Sequence, residues 1–110
     1  MATRRSGTDG GIGLPTRVVD DLLAEEHRRL ALSILDDRNE PVVVESLAKA
    51  VVAARDGCSP GDVTTADQRA MSEELFTEHI PKLTATGVVD YNSMVGTVEL
   101  VRDDVLPDGN

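Results

Sequence analysis

Val88-Val89-Asp90-Tyr91 and Gly96-Thr97-Val98-Glu99-Leu100-Val101 are the two stretches that decide how this chain folds. Both are rich in β-branched residues, and Asn92, Ser93 and Met94 lie between them. They read as two strands joined in a hairpin. Upstream, Thr64 can cap a helix, and Asp67, three residues on, places an acid at its positive end. Met71, Leu75, Phe76, Ile80 and Leu83 supply the buried side of that helix. Pro81 removes a backbone donor, so it kinks the helix or restarts its last turns, and Gly87 closes it.

Further towards the N-terminus, Pro15 suits a first helical turn that Val18, Val19, Leu22 and Leu23 continue on one face. His27, Leu30, Ala31, Ile34 and Leu35 repeat at helical spacing until Asp36-Asp37-Arg38-Asn39-Glu40-Pro41 stops them. Val42-Val43-Val44 reads as a short strand. Val44, Leu47, Ala48, Val51 and Val52 then return to helical spacing, with Gly57 as the stop. The order is helix, short strand, helix, helix, hairpin. A three-helix bundle would leave the hairpin unexplained, so the expected fold is α+β, a winged helix with a C-terminal two-stranded wing. The expected domain covers residues 14–102, between an N-terminal tail (1–13) rich in Gly, Ser and Thr and a C-terminal tail (103–110).

The 110 residues leave room for one domain, and a domain of this size buries about two-thirds of its unfolded surface. Phe76 and Tyr91 are the only aromatics, which argues against a stacking platform for single-stranded nucleic acid. The net charge is −9, from 20 acidic and 11 basic residues, and Lys49 and Lys82 are the only lysines. That balance resembles proteins of salt-loving microbes. Molar salt shortens the Debye length to about 3 Å, so crowded carboxylates hardly repel one another and acidity alone does not exclude nucleic acid. The single cysteine, Cys58, excludes an internal disulfide or a multi-cysteine zinc site and reads as an inert loop thiol. No apolar run approaches transmembrane length. Arg4-Arg5 is followed by Ser6-Gly7-Thr8-Asp9-Gly10-Gly11 where a twin-arginine signal needs an apolar stretch. The expected location is therefore the cytoplasm, with no membrane partner.

His79-Ile80-Pro81-Lys82-Leu83, Gly87-Val88-Val89-Asp90-Tyr91 and Gly96-Thr97-Val98-Glu99-Leu100 carry a family resemblance, with Val63-Thr64, Asp67, Arg69 and the Arg28-Arg29 helix in support. From about Leu22 to Leu100 the chain resembles a haloarchaeal winged-helix family of unknown function, akin to ArsR-like and MarR-like regulators. The resemblance implies the winged-helix fold and a DNA-related ancestry. It implies no enzymatic activity and no ligand.

Winged-helix regulators lay the third helix in the major groove and rest the wing on the backbone. The expected function is accordingly a DNA-binding transcriptional regulator of double-stranded DNA. Gln68, Arg69, Ser72 and Thr77 would contact DNA from the third helix, and Arg4 and Arg5 from the tail. Charge opposes this: Asp67, Glu73, Glu74 and Glu78 face one base, Arg69, between Thr65 and Ile80. Glu74, Thr77 and Glu78 are expected on or near the outward face, and the wing tip has no Arg or Lys. Arg28 and Arg29 are expected on a solvated helix face, paired with Glu25 and Glu26. The competing expectation is a protein-interaction or dimerisation module, binding a second copy or another protein through Val18, Val19 and Leu22.

No enzyme is expected. His27 and His79 are the only imidazoles; His27 has no nucleophile at useful spacing, and His79 is expected to pack or cap. A metal site from both histidines and a carboxylate such as Glu78 is not favoured by spacing, since Glu78 and His79 are adjacent and point apart on a helix. Gly10-Gly11-Ile12-Gly13 lacks the strand and the Lys-Ser/Thr of a phosphate loop. Neither cofactor nor metal is expected.

Overall fold

The structure, a computed structural model, describes residues 14–102, so both expected tails, with Arg4 and Arg5, lie outside the described residues. Pro15, at φ −57°, leads into helix α1 (Thr16–Leu22). Helix α2 (Glu26–Arg38) stops at Asn39, which takes the left-handed conformation at φ 53° that Asn tolerates better than most residues. Strand β1 (Val42–Val43) runs directly into α3 (Val44–Asp56), which Gly57 ends at φ 69°. Val44 is therefore the first residue of a helix rather than the last of a strand, because its side chain is needed inside the core.

A short turn of 3-10 helix (Pro60–Asp62) precedes α4 (Thr65–Glu74). The expected cap is present: the Asp67 amide donates to Thr64 Oγ1 at 3.1 Å. The helical path continues through a widened π turn (Leu75–His79) into α5 (Ile80–Ala85). Strands β2 (Val89–Asn92) and β3 (Thr97–Leu100) form the expected hairpin. Asn92 belongs to the strand, and the link is residues 93–96, closed by Gly96 N–H donating to the Asn92 carbonyl at 2.8 Å. The strand β1 joins this pair on the other edge of β3, with Val42 opposite Val98, giving an antiparallel sheet of order β1-β3-β2.

This α+β arrangement, helices with a small three-stranded antiparallel sheet, is compatible with a winged-helix-like order. Its core joins Leu32 and Leu35 of α2, Leu47 and Val51 of α3, Leu75 of the π turn and Val98 of β3. Phe76, expected inside, is instead 43% exposed. The extra residue in the π turn advances the helical register, so His79 and Ile80 turn inward and Phe76 turns out. There it meets the ring of Tyr91 edge-on, 5.8 Å between centroids. No helix among the described residues is long and apolar enough to cross a membrane.

The stripe expected as a partner surface is also corrected. Leu22 is fully buried in the core, and Val18 and Val19 pack half-buried against it. The seven residues of α1 are too few to persist alone, so burial of this face holds the helix in place. Leu22→Ala is therefore expected to cost about 2–5 kcal/mol in urea unfolding, and Val18→Ala clearly less. A neutral Leu22→Ala would contradict this placement.

Candidate functional site

The sequence-predicted contact residues of α4 separate by exposure. Arg69 is exposed on α4, and Thr77 is exposed in the π turn, where its hydroxyl donates to the Glu73 carbonyl at 2.9 Å. Gln68 is half-buried, and its amide donates to the Glu45 carbonyl at 2.9 Å, tying α4 to the start of α3. Ser72 is buried at the edge of a shallow groove lined by Glu45, Thr65, Gln68 and Arg69, and its hydroxyl has no hydrogen-bond partner among the described residues. Ser72 thus sits beneath the exposed face rather than on it.

Behind α4 lies a polar cluster that spacing did not reveal. Glu74, expected near the outward face, points back between both histidines. Its Oε2 lies 2.6 Å from His27 Nδ1 and 2.7 Å from His79 Nε2. His79 itself is 1% exposed, whereas the side chains of His27 and Glu74 keep 23% and 30% of their surface in solvent. The carboxylate that joins the histidines is thus Glu74, not Glu78, which stays on the exposed side.

Arg28 completes the cluster and overturns the expectation of a solvated pair. It is 5% exposed, and its guanidinium donates to the carbonyls of Asp21 (2.8 Å) and Leu22 (3.2 Å) and to His79 Nδ1 (3.3 Å). Arg29 stays exposed but likewise donates to a backbone carbonyl, that of Leu23, at 2.6 Å. Both arginines therefore cap the C-terminal end of α1, where unpaired carbonyls concentrate negative charge. Lys82 of α5 adds an exposed ion pair to Asp21 at 2.8 Å, which holds the Asp21 carboxyl below the usual range.

The π turn makes the cluster possible. Glu74 and His79 are five residues apart, a spacing that puts side chains on different faces of a regular α-helix. Widening to i→i+5 bonding brings them onto one face. Pro81 explains the widening, since its ring would crowd the carbonyl of residue 77 in a regular helix and it has no N–H to donate there. The readable signal was the combination of Glu74, His79 and Pro81 within one helical run.

The hydrogen bonds also fix protons. A guanidinium N–H can only donate, so His79 Nδ1 accepts, and the proton of the neutral ring sits on Nε2 and is given to Glu74. Partial burial pushes the Glu74 carboxyl up, but the bonds from His79 and His27 outweigh this and hold it below the usual range. A carboxyl lowered by folding stabilises the fold above its unfolded value and loses that contribution as pH falls through the folded one. Glu74→Gln should cost about 1 kcal/mol at neutral pH, with the gap narrowing below roughly pH 4.3. Urea midpoints of both proteins across pH check this, and a gap independent of pH would contradict it.

No curated protein and no solved structure matches the chain. A family model described as Domain of unknown function (DUF7344) matches residues 20–99. The matched span runs from α1 to β3 and includes Arg28, both histidines and Glu74. On this match over most of its length, the chain belongs to the DUF7344 family.

Proposed function

We propose that this chain is a winged-helix DNA-binding domain acting in transcription regulation, without enzymatic activity. The observation that carries the reading is element order: α2, β1, α3, α4 and the β2–β3 hairpin follow the winged-helix sequence, and α4 exposes Arg69. An exposed Arg at that place can reach a phosphate or the edge of a guanine. The acidity of α4 weighs less than a residue count implies, because Glu74 turns inward to the histidines and away from any bound phosphate. Kinship with ArsR-like and MarR-like regulators and adaptation to high salt in a haloarchaeal cytoplasm belong to the same reading. The net charge of −9 supports the salt adaptation.

A second reading, a protein-interaction module, draws on apolar side chains left in solvent. Phe76 is 43%, Val95 63% and Met94 92% exposed, around the π turn and the hairpin tip. Fluorescence anisotropy against labelled duplex DNA from the upstream region, across a salt series, separates the two readings. DNA binding predicts affinity falling steeply with salt, and Arg69→Ala reducing the log–log slope by about 1. Flat anisotropy at all salt concentrations, with the domain folded, would contradict the DNA reading and favour a protein partner.

A further inference from the structure

We propose that His27, Glu74 and His79 form a binding site for a divalent transition-metal ion of the zinc class. The ligand atoms are His27 Nδ1, the Glu74 carboxylate and His79 Nε2, and all three lie within 4.8 Å of one another. They come from α2, the end of α4 and the π turn, so the site is held by separate elements rather than by one flexible loop. Two imidazoles and one carboxylate match the preference of zinc and its neighbours, and do not match magnesium or calcium, which favour oxygen donors alone.

The geometry needs little adjustment. Ligand bonds near 2.0–2.2 Å in a tetrahedron set neighbouring donor atoms roughly 3.3 Å apart. The two N···O separations of 2.6 and 2.7 Å would therefore open by roughly 0.7 Å as the ion replaces the shared protons. His79 anchors the buried side, while the partly exposed His27 and Glu74 leave an entry path. Three protein ligands leave a fourth position for water or a further donor.

Arg28 gives the site a consequence for the fold. A neutral His79 that binds metal through Nε2 carries its proton on Nδ1, where Arg28 now donates. Two donors cannot share that bond, so metal loading releases the guanidinium from His79 while leaving it on the carbonyls of Asp21 and Leu22. Metal occupancy thereby costs the buried Arg28 one of its acceptors while its bonds to α1 remain. The site stands whether or not α4 contacts DNA.

Calorimetric titration of the full chain with Zn²⁺, in excess Mg²⁺ to occupy surface carboxylates, tests the proposal, with Co²⁺ absorption reporting coordination geometry. One ion per chain and a tetrahedral Co²⁺ spectrum are expected. His27→Ala and Glu74→Gln, checked for folding by circular dichroism, should each weaken binding by at least about 10-fold. Glu78→Gln, on the exposed side of the same turn, should bind as wild type. No Zn²⁺ binding above the Mg²⁺ background, or binding equal in all three variants, would overturn the proposal. Partly exposed His27 makes His27→Ala the variant least prone to unfold, which keeps the test decisive if Glu74→Gln is unstable.

Discussion

A guanidinium shut away from water must meet hydrogen-bond acceptors, and Arg28 meets three: two carbonyls at the end of α1 and one ring nitrogen of His79. Much of the structure follows from that requirement. The carbonyls place the last turn of α1 against α2, which puts Leu22 into the core. The ring nitrogen sets the tautomer of His79, and the tautomer aims a proton at Glu74. A charged arginine and a charged carboxylate are thus joined through one neutral imidazole, rather than by direct contact.

The second constraint is covalent. Pro81 has no N–H and a ring that crowds the preceding turn, so the long helical run cannot continue regularly through it. The chain resolves this with a π turn, and one inserted residue has two effects at once. His79 rotates inward to share a face with Glu74, and Phe76 rotates outward to rest against Tyr91. A turn of this kind is uncommon in helices and occurs often where side chains must be brought to a site.

Local signals carried most of the fold. The hairpin was legible from its β-branched runs and the Thr64–Asp67 cap from side-chain chemistry; both formed, with Asn92 in the strand rather than in the turn. The helical periodicity of α3 held because that helix buries one apolar face, whereas α2 formed as a helix but buries Arg28, Ala31, Leu32 and Leu35, leaving His27, Leu30 and Ile34 only partly buried. What sequence reading missed depended on contacts across long separations. Pairing of β1 with β3 joins Val42 to Val98, and no local pattern specifies it. The cluster joins His27 to Glu74 across 47 positions, and an arginine next to two glutamates looks solvated until the end of α1 is seen to lack hydrogen-bond donors. Ser72 failed similarly: a polar residue on a polar helix reads as exposed until α3 packs over it.

The hold of Arg28 on α1 can be tested by native-state hydrogen exchange on Arg28→Met, which keeps the apolar stem of the side chain and removes its donors. Amides of α1 are expected to lose protection relative to those of α3, because the carbonyls of Asp21 and Leu22 lose their partner. Protection in α1 unchanged relative to α3 would contradict it, and would show that apolar packing alone seats the first helix.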